Sequence, residues 1–226
     1  MVGTAASQLK VLKKTSLRES VANALRAAII SGELLPGNLY SAPSLSERFG
    51  VSATPVREAM LDLTNEGLVV AAPNKGFRIT EVSEEDLDAI TSIRMLLEPP
   101  TVRQVTELIP DADFPMLRAL AQDIVDSAAR GDLVNYTDAD RVFHLRLIEY
   151  TGNSHLVKIV SDLRARTRLL GLAPLSQSGQ LDASALEHLE LVELLEARDG
   201  AAAEEFMRRH IGKVRGLWAD PAKSAS

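Results

Sequence analysis

The spacing of apolar residues is helical along most of the chain, and the first three helices that it predicts are short and closely connected. The first follows Ser16 and Glu19, which form a capping box, and its apolar face ends at residues 31–32. The second covers residues 44–49, and Gly50 follows it where a left-handed residue ends a helix at low cost. A third helix begins within about four residues of the second, which is the spacing of a helix-turn-helix.

The third helix starts with residues that suit a helix N-terminus. Either Ser52 or Thr54 can cap it by accepting a backbone N–H, and Pro55 is tolerated because first-turn amides have no partner within the helix. After this helix the period changes, because residues 68–72 and 76–80 are short apolar-rich runs separated by Pro-Asn-Lys, the signature of a β-hairpin. Three helices followed by a two-stranded wing predict a winged helix.

From residue 82 onward the pattern predicts helices almost throughout. Ser83 caps a segment that opens with three acidic residues, which are favourable at the positive end of the helix dipole. Pro99 and Pro100 interrupt this segment, because proline removes an amide donor and restricts the residue before it, so the result is either a kinked helix or two helices. The further predicted helices are residues 113–129, 133–150, 155–170, 185–198 and 201–218.

These elements predict a mainly α protein with an N-terminal winged helix, which contains a small β-hairpin, and a C-terminal all-helical bundle. We divide the chain into a flexible arm at residues 1–15, the winged helix at 16–80, the helical domain at 81–219 and a tail at 220–226. The low aromatic content of 4% and the predominance of Leu, Ala, Val and Ile favour helices over a β-sandwich.

Charge and composition restrict the classes of function. Residues 1–80 hold nine Lys or Arg and six Asp or Glu, whereas residues 81–226 hold sixteen and twenty-five, so a basic half precedes an acidic one. Such asymmetry is expected when the first half faces nucleic acid, although ordinary scatter could also produce it. The absence of cysteine excludes disulfides and thiolate ligands, and no apolar run reaches the ~18 residues that span a bilayer. We therefore expect a cytoplasmic protein without a membrane partner.

Three of the four histidines lie on predicted inner helix faces. Asp140 and His144 are four residues apart and project from one face, while His188 and His210 lie among apolar residues of their own helices. One such histidine alone is more often a core residue satisfied by a hydrogen bond. Together the four residues predict a divalent metal site, because imidazole and carboxylate are the ligands left to a chain without cysteine. His155 lies outside this pattern and is predicted not to be a ligand.

Residues 50–60, Gly-Val-Ser-Ala-Thr-Pro-Val-Arg-Glu-Ala-Met, resemble the recognition segment of the GntR family of bacterial transcription regulators. Residues 66–69 extend the match. The family usually has Gly-Val-Ser-Arg-Thr-Pro-Val-Arg-Glu-Ala-Leu here, so Ala53 stands where it has a DNA-contacting arginine, and Pro43 stands where it often has another. The resemblance implies binding of double-stranded operator DNA. The residues expected to contact the DNA are Arg48, Ser52, Thr54, Arg57 and Lys75, and the alternative for Lys75 is an ordinary solvated turn lysine.

The second half resembles the FCD domain, which is the ligand-binding domain of the FadR subfamily of GntR regulators. In that domain an Asp and three His on separate helices commonly hold a metal, which in turn coordinates a small carboxylate effector. The resemblance therefore implies a divalent ion, such as zinc, nickel or manganese, on the four clustered ligands. The matching residues are 93–99, from which Pro100 departs, the pair Asp140 and His144, Gly152 and Asn153, His188 and residues 208–210.

Arg94 lies within the matching segment of the first helix of this domain. It is a candidate for binding the effector carboxylate through a bidentate contact. Its alternative is a salt bridge to Glu98, one helical turn further on.

The sequence therefore predicts a transcription regulator, expected to be a repressor, that binds DNA as a homodimer and responds to a small metabolite. It predicts no enzymatic activity. The alternative is a metal-dependent enzyme, or a metal sensor, with a vestigial DNA-binding domain, because three His and one Asp leave coordination positions open. No nucleophile, phosphate-binding or additional general-base motif accompanies the site, which makes sensing the simpler interpretation.

Overall fold

The computed structural model describes residues 16–167 and 180–219, except for the side chains of residues 214 and 216–219. The predicted arm at 1–15 and the predicted tail at 220–226 lie outside the described residues, as do residues 168–170 of the helix predicted at 155–170. In the described part an N-terminal unit of three helices and a small sheet precedes a bundle of helices. None of the described helices is both long and apolar enough to cross a membrane.

The N-terminal unit is a winged helix, as predicted. Ser16 caps the first helix by accepting a hydrogen bond from the Glu19 amide at 3.1 Å, and Gly50 ends the second with a φ of 65°. Leu25, Leu45 and Leu63, one from each helix, are fully buried in the apolar core of this unit. Its helices are α1 (Leu17–Ile30), α2 (Ala42–Phe49) and α3 (Ala53–Asn65), and its strands are β1 (Leu39–Tyr40), β2 (Val69–Ala72) and β3 (Gly76–Ile79).

The sheet has three strands rather than the predicted two. The hairpin of β2 and β3 is present, with Asn74 in a left-handed conformation at its turn, but β1 also pairs with β3 in antiparallel orientation. A strand of two residues is too short to show the alternation that identifies a strand in sequence. Gly76 permits this pairing, because a Cβ atom there would collide with the Tyr40 carbonyl oxygen.

The C-terminal bundle surrounds one apolar core. Helix α4 packs against α9, and α5 packs against both α6 and α8. Phe143, Leu117 and Ile124 are among the largest fully buried side chains of this core. The helices are α4 (Glu84–Val105), α5 (Phe114–Ala129), which follows a 3-10 turn at Asp111–Asp113, α6 (Leu133–Glu149), α7 (Ser154–Thr167), α8 (Gln180–Glu196) and α9 (Gly200–Ala219).

Helix α4 continues through both prolines, so the alternative of two separate helices is wrong. Pro99 cannot donate to the carbonyl group of Met95, four residues earlier. Arg208 on α9 takes the place of this donor, with its Nη1 atom 3.5 Å from the Met95 oxygen. Packing of α4 on α9 therefore compensates part of the cost of the prolines.

The two units meet through α1 and α6. Ile30, the last residue of α1, is buried in the same apolar cluster as the bundle core. A cleft of about 690 Å³ lies beside this contact, and the first half of α6 contributes to its lining. Helix α6 therefore borders the winged helix at one end and lies within the bundle at the other.

Candidate metal centre and DNA-facing surface

Helix α3 presents one exposed stripe to solvent. Ser52 occupies the N-cap position, but its hydroxyl makes no capping hydrogen bond, and Thr54 lies inside the first turn. Thr54, Arg57 and Leu61 are exposed and share one face, because they are spaced by three and four residues. The opposite face is buried and consists of Val56, Ala59, Met60 and Leu63.

The cations predicted to contact DNA differ in their surroundings. Arg57 and Lys75 are exposed and have no ion-pair partner among residues 16–167 and 180–219. Arg48 is paired with Glu33, but the two side chains are 45% and 62% exposed. A pair this exposed contributes about 0–1 kcal/mol, so a phosphate could replace Glu33 at small cost.

Two ion pairs that the sequence did not indicate connect α3 to α1 at the surface. Arg26 binds Glu66 through two hydrogen bonds, at 3.0 Å from Nε and 2.7 Å from Nη2. Arg18 likewise donates from Nε to Asp62 at 2.7 Å. The buried core between α1 and α3 sets the orientation of the exposed stripe, and these partly exposed pairs add little to it.

The four residues predicted as metal ligands lie together in the bundle, although they come from three helices. Asp140 and His144 belong to α6, His188 to α8 and His210 to α9. One ligand atom from each lies within 4.8 Å of all the others. The three imidazoles are buried, whereas the Asp140 side chain is 24% exposed.

Hydrogen bonds at the outer ring nitrogens determine which atoms face the cluster. His188 Nδ1 lies 3.1 Å from the Ala185 carbonyl oxygen, and His210 Nδ1 lies 2.7 Å from Glu187 Oε2. Because both oxygens are acceptors, each Nδ1 carries a proton, which leaves the Nε2 lone pair of a neutral ring directed at the cluster. Such a bond to a carbonyl or carboxylate commonly lies behind a metal-binding imidazole.

Acceptor atoms face each other at the centre of the cluster. His188 Nε2 lies 3.2 Å from Asp140 Oδ1 and 3.1 Å from His144 Nε2. With its proton on Nδ1, His188 directs the lone pair of Nε2 toward the Asp140 oxygen, and a cation between these two atoms would remove their repulsion. Converging lone pairs from imidazoles and a carboxylate are what a divalent transition metal binds. The donor set therefore fits a divalent metal ion.

The electrostatic environment favours the metal-binding forms of Asp140, His144 and His210. Burial lowers the pKa of His144 well below its ordinary value of 6.5, and the charge of Arg164 lowers it further. Burial also lowers the pKa of His210, although its hydrogen bond to Glu187 opposes this shift. Burial alone would raise the pKa of Asp140, but the interactions with His144, His188 and Arg164 outweigh it and hold that pKa well below 3.8. Neutral imidazole and ionised carboxylate are the forms that bind metal.

A buried ion-pair network lies behind the cluster. Arg164 on α7 donates from Nη1 to Asp140 Oδ2 at 3.1 Å and from Nε to Glu98 Oε2 at 3.0 Å. Arg94 donates from Nε to Glu98 Oε1 at 2.6 Å. Burial would raise the pKa of Glu98, but Arg164 and Arg94 together lower it to about 2. Because Arg164 binds Oδ2 of Asp140, Oδ1 is the oxygen left to face the imidazoles.

Arg94 therefore forms the salt bridge to Glu98 that the sequence left open as the alternative to binding an effector. Within residues 16–167 and 180–219 only its Nε atom has an acceptor, although its side chain is 5% exposed. Its two terminal nitrogens have no acceptor among these same residues. His155 is exposed near the start of α7 and lies outside the cluster.

Sequence reasoning missed Arg164 and Glu187. A signal for Arg164 was present, because it lies on the same face of α7 as Val160, Leu163 and Thr167, and a charged residue on an inner face needs a buried partner. Glu187 carried no comparable signal, since its role depends on a contact between α8 and α9.

Both halves of the chain match known protein families. Residues 17–79 match the family described as bacterial regulatory proteins, gntR family, and residues 89–213 match the FCD domain. The HTH-type transcriptional regulator McbR of Escherichia coli K12 is 30% identical over 90% of this chain and 91% of its own length. The HTH-type transcriptional repressor RspR of the same strain is 25% identical over 88% and 87%. The structure of E. coli McbR/YncC superposes with a TM-score of 0.68 at 25% identity, covering 94% of this chain and 100% of that one.

Proposed function

The chain belongs to the gntR family of bacterial regulatory proteins and carries an FCD domain, and from this premise we propose that it is a repressor that binds operator DNA as a homodimer and senses a small carboxylate through a divalent metal ion. The general role as a transcription regulator follows from membership. The parts of this function that we propose are repression, the metal ion, the effector and the dimer. We also propose that residues 16–80 act as the DNA-binding unit and residues 81–219 as the sensor.

The observation that carries the sensor proposal is the convergence of four ligand atoms from three helices. In this proposal Asp140, His144, His188 and His210 hold the ion. A bound divalent ion would supply positive charge and further coordination positions for a carboxylate. Arg94 would bind the same effector through its terminal nitrogens, which have no acceptor among the described residues.

The DNA-binding proposal rests on the exposed stripe of α3 and on the wing. Arg57 would contact a base edge or a phosphate in the major groove, and Thr54 and Ser52 would contact the backbone near the start of the helix. Lys75 at the hairpin turn would contact the adjacent backbone, and Arg48 would exchange Glu33 for a phosphate. Because position 53 is alanine, Arg57 would be the main residue that recognises the base sequence.

A dimer is proposed because a single recognition helix covers little of the DNA. Specific complexes of single modules bury less surface than dimers that read two half-sites, and two-fold operators match two-fold proteins. The sensor bundle would provide much of the contact between the two copies.

Helix α6 provides a direct connection between sensing and DNA binding. Its residues Asp140 and His144 belong to the metal cluster, and its first half borders α1. A shift of α6 on effector binding would therefore alter the position of the winged helix, and with it the spacing of the two DNA-binding units in a dimer.

The experiment that tests this function measures DNA binding with and without the ion and effector. Operator sequences are selected from a random duplex library with the full-length protein, and their affinity is then measured by fluorescence anisotropy at fixed salt. We expect specific binding that changes when small carboxylates are added to zinc- or nickel-loaded protein and that does not respond to carboxylates after chelation. A response to metal alone would favour a metal sensor, and the absence of any selected sequence would refute a DNA-binding regulator.

A further inference from the structure

We propose that the solvent-facing side of α4 is the contact between two copies of the chain, and that the two α4 helices pair there in antiparallel orientation. This inference rests on the proposed function, because it locates the interface of the proposed homodimer. It is supported by an exposed apolar stripe along α4 and by the charges at the two ends of that stripe.

Helix α4 is apolar on its outer side as well as on its inner side. The inner side is buried against α6, α7 and α9. The outer side carries four exposed apolar residues, which we call the α4 stripe: Ala89, Ile93, Leu96 and Pro100. Leu96 is 74% exposed, more than any other large apolar side chain in the described part of the chain. Single exposed apolar residues are ordinary, but a continuous row of them indicates a surface that binds a partner.

The spacing of the α4 stripe indicates that the partner is another helix. Its residues follow each other at intervals of four, three and four positions. These are the intervals at which apolar side chains of one helix pack between those of a second helix. In a two-fold dimer the same surface of both copies meets, so the stripe of one copy would pack on the stripe of the other.

The charges on α4 favour the antiparallel orientation. Residues 84–86 in its first turn are all acidic, and Arg103 lies in its last turn. A parallel pair would bring the two acidic turns together, whereas an antiparallel pair brings each acidic turn next to the Arg103 of the other copy. Glu85 is exposed and has no ion-pair partner among residues 16–167 and 180–219. Arg103 contacts Glu204 at 3.3 Å, but it is 63% exposed and can reach a second carboxylate.

One register satisfies both the apolar and the charged contacts. When the two-fold axis passes between Ile93 and Leu96, Ile93 of one copy faces Leu96 of the other, and Ala89 faces Pro100. The same register places Arg103 beside Glu85. The two copies of Ala89 are then separated by eleven residues along the helix pair, which is about 16 Å at the rise of an α-helix.

The first test is sedimentation equilibrium of the full-length protein. Leu96→Glu should raise the dissociation constant of the dimer at least about a hundredfold, because it places two charges at the centre of the contact. Leu96 is exposed within one chain, so this variant should keep the helical circular dichroism of the wild type. Leu186→Glu is the matched control, since Leu186 is 54% exposed on α8, away from the stripe, and the dissociation constant should stay within about threefold of the wild-type value.

The second test measures orientation by cross-linking. The chain has no cysteine, so introduced cysteines are its only thiols. With a short bismaleimide linker, neither Ala89→Cys nor Pro100→Cys should form a covalent dimer, because equivalent residues are far apart in the antiparallel pair. The double variant Ala89→Cys/Pro100→Cys should form one readily. All three variants keep Ile93 and Leu96, so this test does not depend on the behaviour of Leu96→Glu.

The third test concerns the charges. Glu85→Arg should weaken the dimer about threefold to tenfold, because it places two cations together at each end of the pair. Adding Arg103→Glu to this variant should restore the wild-type dissociation constant. In a parallel pair, Glu85→Arg would leave the dissociation constant unchanged, since it replaces one contact between like charges with another.

Several outcomes would overturn this inference while the proposed dimer stands. They are a dimeric Leu96→Glu protein, a covalent dimer from either single cysteine variant, and a dimeric double cysteine variant that does not cross-link. Loss of the dimer in Leu186→Glu alone would place the interface on α8 and would also overturn it. A wild-type protein that stays monomeric even with operator DNA would instead refute the dimer of the proposed function.

Discussion

Removal of a bound divalent ion should lower the unfolding temperature of the full-length protein by about 5 to 11 °C. An ion that binds only the folded state stabilises it by about 2.7 kcal/mol when its free concentration is a hundredfold above the dissociation constant. For a chain of this size, each kcal/mol corresponds to about 2–4 °C. The structural reason is that the ligands come from α6, α8 and α9, so they are assembled only in the folded bundle.

The assay is a pair of thermal melts, one with excess zinc and one after dialysis against a chelator, followed by circular dichroism. His188→Ala should remove the dependence on zinc, because it deletes one of the three imidazole ligands. His155→Ala is the matched control, since this histidine is exposed and lies outside the cluster, and it should retain the full wild-type shift.

Two results would refute the reasoning. One is a wild-type protein that takes up no zinc, nickel or manganese by elemental analysis and melts at the same temperature with and without chelator. The other is an equal zinc-dependent shift in His188→Ala, which would place the ion elsewhere. Either result would leave the histidines as core residues.

Four further predictions concern the rest of the structure. Arg57→Ala should weaken operator binding by about 1–3 kcal/mol and reduce selectivity in anisotropy titrations, whereas Ala53→Arg should tighten it, and unchanged binding in both would exclude this stripe of α3 from readout. Arg164→Met should lower the free energy of unfolding in urea by about 3–5 kcal/mol because Glu98 and Asp140 lose a buried partner, while the exposed Arg118→Met should cost at most about 1 kcal/mol; equal costs would contradict the role of burial. In the metal-free protein, stability should fall as the pH decreases below 6.5, because the depressed folded-state pKa of His144 means that the unfolded chain binds this proton first; a urea midpoint that is constant from about pH 8 to 5 would contradict this. Sedimentation at micromolar concentration should give a dimer, and a monomer in the presence of operator DNA would count against the proposed assembly.

Local signals in the sequence determined most of the fold. Capping by Ser16, the left-handed Gly50 and the apolar faces of the helices depend on residues within a few positions of each other, and the structure confirms these features. The local rules failed where a distant segment supplied the missing partner. Strand β1 forms because it pairs with β3, which is distant along the chain. Helix α4 continues through two prolines because it packs on α9, where Arg208 replaces one missing hydrogen-bond donor.

The candidate site divides in the same way. The residue types at Asp140, His144, His188 and His210, together with the helix faces on which they lie, could be read from the chain, since chemistry and periodicity are local properties. The network behind them could not, because Arg164 and Glu98 are 66 residues apart and their pairing depends on how α7 packs against α4. Sequence thus determined which groups could bind a cation. Tertiary packing decided which oxygen of Asp140 faces the imidazoles and which buried arginine has terminal nitrogens without an acceptor in the described part of the chain, because each depends on contacts between helices that are distant along the chain.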